Sequence, residues 1–253
     1  GIAIGDQILD LAVLAAGDAL QGVARAHCMV AAQHTLNAFM ALGPETWRSL
    51  RHAVFALLRD SATPAQQAAV RACLVPQSEA RYGLPARIGD YTDFYTSIHH
   101  ARNVGRVIRP DDPLTPNFQW LPIAYHGRAS SVVVSGTAFH RPHGQALPPG
   151  AKAPVYGPCA RLDYELELGF YIGHGNALGQ PVTLAAAEDQ IFGLCLLNDW
   201  SARDHQFWEM NPLGPFLGKN FCTSISPWVV TMDALAPFRV PAAERPAPEP
   251  QPL

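Results

Sequence analysis

The chain has 253 residues, 48% of them hydrophobic and 15% charged, the balance of one or two globular domains with a sizeable core. A net charge of −3 with no Lys/Arg cluster lacks the electrostatic footprint of a nucleic-acid binder. No apolar run nears the roughly 18 residues of a bilayer span, and Gly1 to Leu11 lack the basic and apolar segments of a secretory signal.

In chain order, Ile2-Ala3-Ile4 and Ile8-Leu9-Asp10-Leu11 flank Gly5-Asp6, a dipeptide suited to a type II′ hairpin turn. Residues 18–42 show no clear period and read as irregular. A helix is expected from Pro44, with Trp47, Leu50, Val54 and Leu57-Leu58 at helical spacing. The next opens at Thr63-Pro64-Ala65-Gln66, a capping box with proline at the first helical position. The pattern breaks at Gly83-Leu84-Pro85. Strand-like segments then dominate: 131–134, 162–172, 191–197 and 228–231, separated by glycine and proline punctuation. These patterns predict a small N-terminal domain over 1–85 and a larger β-rich domain over 86–253. The run from Pro241 to Pro252 is proline-rich and reads as a linker or extended loop.

Five cysteines (Cys28, Cys73, Cys159, Cys195 and Cys222) are scattered without C-x-x-C spacing. That favours buried free thiols in a reducing, cytoplasmic setting over a zinc site. There is no G-x-S-x-G elbow and no H-E-x-x-H. Gly173 to Gly179 misses the dinucleotide spacing by one residue and reads as a turn. Trp200, Trp208 and Trp228 read as core.

Four acids stand out: Asp93, Glu165, Glu167 and Asp199, each in an apolar or aromatic run where an unpaired charge is expensive to bury. The alternation Leu162-Asp163-Tyr164-Glu165-Leu166-Glu167-Leu168 puts Glu165 and Glu167 on one face of a strand. Alone, such a pair is more often a solvated strand face. An all-oxygen cluster is also what magnesium or calcium prefers. His99-His100 follow Asp93, His100 by seven residues, and Arg203, Gln206 and Lys219 follow Asp199.

These motifs carry a resemblance that covers nearly the whole chain and is weakest between Leu14 and Ala80. Asp90 to His100, Tyr125-His126-Gly127-Arg128-Ala129-Ser130-Ser131, the E-L-E strand, Asn198-Asp199-Trp200-Ser201-Ala202-Arg203-Asp204 and Pro212 to Lys219 resemble the fumarylacetoacetate hydrolase family. So do Ile2 to Leu11 and Ser226-Pro227-Trp228-Val229-Val230.

The resemblance implies an α+β, predominantly β fold, a small SH3-like barrel followed by a mixed β-roll. It implies hydrolysis of a carbon–carbon bond in a 1,3-diketo acid, fumarylacetoacetate giving fumarate and acetoacetate in tyrosine and phenylalanine catabolism, by a cytoplasmic homodimer using Mg2+ or Ca2+. No nucleic-acid or membrane partner is expected. Asp93, Glu165, Glu167 and Asp199 would hold the cation, with Lys219 (through its main-chain oxygen) and Thr223 beside a second one. His100 would be the base, Arg203, Gln206 and Lys219 would stabilise developing charge, and Tyr95, Arg109, Tyr125, Gln206 and Met210 would line the substrate. Met210 replaces a family tyrosine. The family's histidine-orienting glutamate and a Gly-Thr loop belong to a C-terminal portion outside these 253 residues. A related hydratase or decarboxylase, an acylpyruvate hydrolase and an inactive cation-binding fragment are the alternatives.

Overall fold

The structure, a computed structural model, describes residues 1–242. The proline-rich run from residue 243 onward lies outside the described residues.

The hairpin forms as expected: β1 (Ile2–Ile4) pairs antiparallel with β2 (Gln7–Leu9) around Gly5, whose φ of +58° suits a residue without a Cβ. β3 (Leu74–Pro76) adds to β2, giving a three-stranded sheet in the order β1-β2-β3. Between β2 and β3 run α1 (Leu11–Ala16), α2 (Gly22–Ala31), α3 (Asn37–Met40), α4 (Pro44–Leu58) and α5 (Pro64–Arg71). The capping box on α5 is present, Thr63 and Gln66 each satisfying the other's backbone amide.

Two expectations need correction here. No barrel closes among the described residues, because three strands of three residues each are too short to curl round on themselves. Nor do strands predominate: helix, 3-10 turns included, accounts for about 33% of the described residues and strand for about 21%. The stretch read as irregular contains α2, whose inward stripe of Ala24, Cys28 and Ala31 is too small-featured to give a strong period.

β4 (Thr92–Phe94) pairs with β5 (Ala124–His126), and α6 (Ile98–Ile108) lies between them in sequence. The larger sheet is built on β6 (Val132–Val134), with an accessory hairpin β7 (His143–Ala146) and β8 (Val155–Pro158) following it. Then come β9 (Leu162–Asp163), β10 (Leu166–Ile172), α7 (Leu184–Ala187), β11 (Ile191–Asp199), β12 (Ser201–Ala202), α8 (Arg203–Glu209), β13 (Thr223–Ile225), β14 (Val230–Thr231) and α9 (Met232–Leu235). The sheet order is β10-β11-β13-β6, with β14 also on β11, and the β13–β6 pair is parallel.

The main core gathers Leu9, Leu14, Cys28, Phe39, Leu50, Val54 and Leu57, and Phe192 of β11 enters it. Trp47 and Phe192 meet edge to face with centroids 5.1 Å apart. The sheet that carries the acids is thereby anchored to the helices. All five cysteines are buried and free.

Strand β10 alternates in an unexpected sense. Glu167, Gly169 and Tyr171 point inward and are half-buried, whereas Leu166, Leu168, Phe170 and Ile172 are exposed.

A candidate carboxylate centre on the sheet

Cross-strand register assembles the centre. Leu166 opposes Asn198, and the Asp199 amide donates to the Glu165 carbonyl at 3.0 Å. Asp199 in turn opposes Thr223. Glu165, Asp199 and Thr223 therefore form one row across three adjacent chain segments, and period-2 alternation puts Glu167 on the same face. Asp93 arrives from β4, paired in register with Tyr125.

Carboxylate oxygens of Asp93, Glu167 and Asp199 lie within 4.8 Å of one another. Asp199 is 2% exposed, so this crowding takes place where water screens poorly. Burial, with the charges of Asp93 and Asp199, raises the Glu167 carboxyl to about 8. Burial likewise lifts Asp199 to about 6 against the opposing pull of Lys219, and raises Asp93. Three oxygen donors pushed toward protonation by burial and by neighbouring carboxylates are a chemically suitable set for a hard divalent cation.

Glu165 is not in that triad. Its Oε2 accepts from Lys219 Nζ at 2.6 Å and its Oε1 meets Arg203 Nη1 at 2.6 Å. Burial alone would raise its carboxyl, but Lys219 and Arg203 outweigh burial and hold it below its usual value. Lys219 Nζ also lies 3.0 Å from Asp199 Oδ2, and the lysine is 3% exposed. Arg203 uses Nε on Asp163 Oδ2 at 2.9 Å and Nη1 on Gln206 Oε1 at 3.0 Å.

Tyr125 donates its hydroxyl to Asp199 Oδ2 at 3.1 Å. Burial and the nearby Asp199 and Asp93 raise its proton affinity well beyond the usual phenol range, so it stays a donor. Thr223 donates to Asp199 Oδ1 at 3.5 Å and also meets the Tyr91 hydroxyl, 3.4 Å away.

His100 sits in the first turn of α6, capped by Ser97, whose Oγ accepts from the His100 amide. Its ring meets Tyr95 edge to face at 5.4 Å, and its charge is felt by Asp93. His100 thus stands exposed at the rim of the cluster. Arg109 ends α6 and donates to the Pro113 carbonyl at 3.2 Å. Met210 is the C-cap just past α8, at the opposite end of that helix from Arg203. Among the described residues no hydrogen bond or ion pair joins Arg109 or Met210 to the carboxylates.

Sequence reasoning passed over Tyr91, Asp163 and Glu209. Asp163 was findable, because it precedes Glu165 by two in the same alternating run. Tyr91 acts through Thr223, remote in sequence, and Glu209 through backbone amides, which carry no residue signal.

A convergent carboxylate triad, two of its members on the mixed sheet and one from β4, lies beside a bridged lysine and arginine and could hold a cation next to positively charged donors. Family comparison matches residues 1–85 to Fumarylacetoacetase N-terminal and residues 91–243 to Fumarylacetoacetate (FAA) hydrolase C-terminal. The chain belongs to the fumarylacetoacetate hydrolase family. It is 52% identical to the fumarylacetoacetase of Homo sapiens over 259 residues and 52% to that of Bos taurus over 264, with 100% of the chain covered in both. The Oryza sativa subsp. japonica fumarylacetoacetase is 48% identical over 255 residues. The chain spans about 60% of the length of these relatives. Among the described residues no helix is long and apolar enough to cross a membrane.

Proposed function

We propose that this chain carries the cation-binding and charge-stabilising half of a fumarylacetoacetate hydrolase, cleaving the substrate to fumarate and acetoacetate. The observation that carries the reading is the Asp93–Glu167–Asp199 convergence with Lys219 bridging Glu165 and Asp199. The division into domains 1–85 and 86–253, a cytoplasmic homodimer and a role in tyrosine and phenylalanine breakdown belong to the same proposal. The two family matches, which adjoin between residues 85 and 91, support the division.

Hydrolysis of the bond needs a water deprotonated for attack, stabilisation of the oxyanion, and a proton for the departing carbon. His100 takes the proton from water at the rim of the cluster. When bound, a magnesium or calcium ion held by Asp93, Glu167 and Asp199, with Glu165 and Thr223 alongside, supplies Lewis-acid polarisation of the diketone oxygens.

Arg203 and Lys219 are aimed by Glu165, which contacts both, so their charge is in place before any develops on the substrate. Gln206 accepts from Arg203 through its carbonyl oxygen, which leaves its amide to donate. Tyr125 holds Asp199 through its hydroxyl, while Tyr95 and Met210 line the approach. The planar fork of Arg109 matches a terminal carboxylate.

The test is a turnover assay of the whole protein. Loss of the diketo acid's ultraviolet absorbance is followed after chelation, then with magnesium or calcium restored, across fumarylacetoacetate and shorter acylpyruvates. Cation-restored turnover fastest on fumarylacetoacetate supports the reading, and turnover indifferent to chelation defeats it.

A further inference from the structure

A lysine ammonium sits at the end of four rotatable bonds, so its position depends on how firmly its backbone is fixed. The backbone before Lys219 is fixed by one carboxylate. Glu209, the last residue of α8, accepts three successive main-chain amides: Phe216 at 2.8 Å and Gly218 at 2.6 Å on Oε1, and Leu217 at 2.9 Å on Oε2. Hydrogen bonds to an ionised carboxylate are about twice as strong as neutral ones, and three converge here.

The same loop is held from its other side. The Gly218 carbonyl accepts from the Ala202 amide at 2.8 Å. A Cβ on Gly218 would come within 2.8 Å of the Gln206 backbone nitrogen, so the loop lies directly on α8. The amides of Lys219 and Asn220 both return to the Phe216 carbonyl. Glu209 therefore ties the helix that carries Arg203 and Gln206 to the turn that delivers Lys219.

We propose that Glu209 is a positioning residue: through the amides of 216–218 it sets the Lys219 ammonium between Glu165 and Asp199. The inference rests on the role given to Lys219 above, and it extends that role to a residue that touches neither substrate nor cation.

The experiment is a double-mutant cycle of Glu209→Ala with Lys219→Met in the whole protein, read in two quantities. The first is calcium affinity by titration calorimetry, which needs no substrate. Lys219→Met removes a positive charge 3.0 Å from Asp199 and tightens calcium binding by about tenfold. Glu209→Ala shifts affinity about threefold in the same direction, and not at all in the Lys219→Met background. The second is kcat on fumarylacetoacetate. Glu209→Ala lowers it about 10²-fold with little change in KM, Glu209→Gln about tenfold, and Glu209→Ala adds less than about twofold once Lys219 is Met. Glu209→Gln guards against misfolding, because its one oxygen still accepts from Phe216 and Gly218.

Hydrogen exchange should show protection lost at 216–218 and kept along β11. Additive effects of the two substitutions on calcium affinity, or full protection at 216–218 in Glu209→Ala, overturn the proposal. Coupled calcium affinities in a protein that turns over no diketo acid would uphold the positioning role and overturn the hydrolase reading.

Discussion

Glu167→Gln separates the cost of the carboxylate cluster from its use. In the folded chain the Glu167 carboxyl stands at about 8, against 4.5 for an unperturbed glutamate. A folded-state value above the unfolded one means the contribution to stability is complete below about pH 4.5. It is lost as pH rises toward 8, because the unfolded chain ionises first. At about 1.4 kcal/mol per tenfold in proton affinity the whole difference is about 5 kcal/mol. Glu167 is only half-buried, so solvent screening reduces this to about 2 kcal/mol. Glutamine mimics the protonated acid. In chelator, Glu167→Gln should match the parent at pH 4.5 and exceed it by about 2 kcal/mol at pH 8, a rise in Tm of about 4–8 °C. Saturating calcium at pH 8 should reverse the order, because ligand stabilisation follows affinity and the variant has lost a charged ligand. Differential scanning calorimetry at the two pH values, with chelator and with calcium, is sufficient. A variant less stable than the parent in chelator at pH 8 would refute the charge-crowding argument.

Calcium affinity of the parent should rise with pH between about 6 and 8, since Asp199 at about 6 and Glu167 at about 8 must give up protons to bind. Calorimetry in buffers of differing ionisation enthalpy counts the protons released, and a flat profile would contradict it. Gly127→Ala should destabilise by about 1–3 kcal/mol, because its Cβ would fall 1.9 Å from the Tyr91 ring. The denaturant midpoint measures this, and Tyr91→Leu should restore part of the loss in the double variant. His100→Ala should lower kcat about 10²–10⁴-fold while leaving calcium affinity nearly unchanged, with His99→Ala mild. Equal losses in the two variants would remove His100 from the role of base.

Which parts were legible in the sequence follows from which residues carry contrast. The spacing of Glu165 and Glu167 was readable from alternation alone, and the hairpin from the Gly5-Asp6 dipeptide between two apolar runs. The facing of β10 was not, since alternation gives a period and no sign. Ordinary partition would bury Leu166 and Leu168 and expose the acids, and here the reverse holds. Helix α6 went unread for a related reason. It buries Ala101 and Gly105, the latter so close to the Pro113 carbonyl that a Cβ would sit 1.8 Å away. Valine and isoleucine on its exposed side, Val107 at 77% and Ile108 at 39% exposed, blur the helical period further. Glu209 had no signal at all, because its partners are backbone amides and any residue type supplies those.

Charge balance ties the inward-facing acids to the cationic donors. Asp93, Glu165, Glu167 and Asp199 gather around Lys219 and Arg203, and Arg203 also pairs with Asp163, so full ionisation leaves the cluster with an excess of negative charge. Lys219 and Arg203 go preferentially to Glu165, which is why that carboxyl alone among the four is held low. The deficit then falls on Asp93, Glu167 and Asp199, the three whose proton affinities are raised and whose oxygens converge. Protons can fill it at low pH, and one divalent cation fills it at neutral pH while leaving Lys219 and Arg203 in place. Moving either basic residue would shift the deficit to a different pair of acids. The aim of Lys219, and therefore of the loop that Glu209 ties down, is part of what leaves the triad suited to a cation.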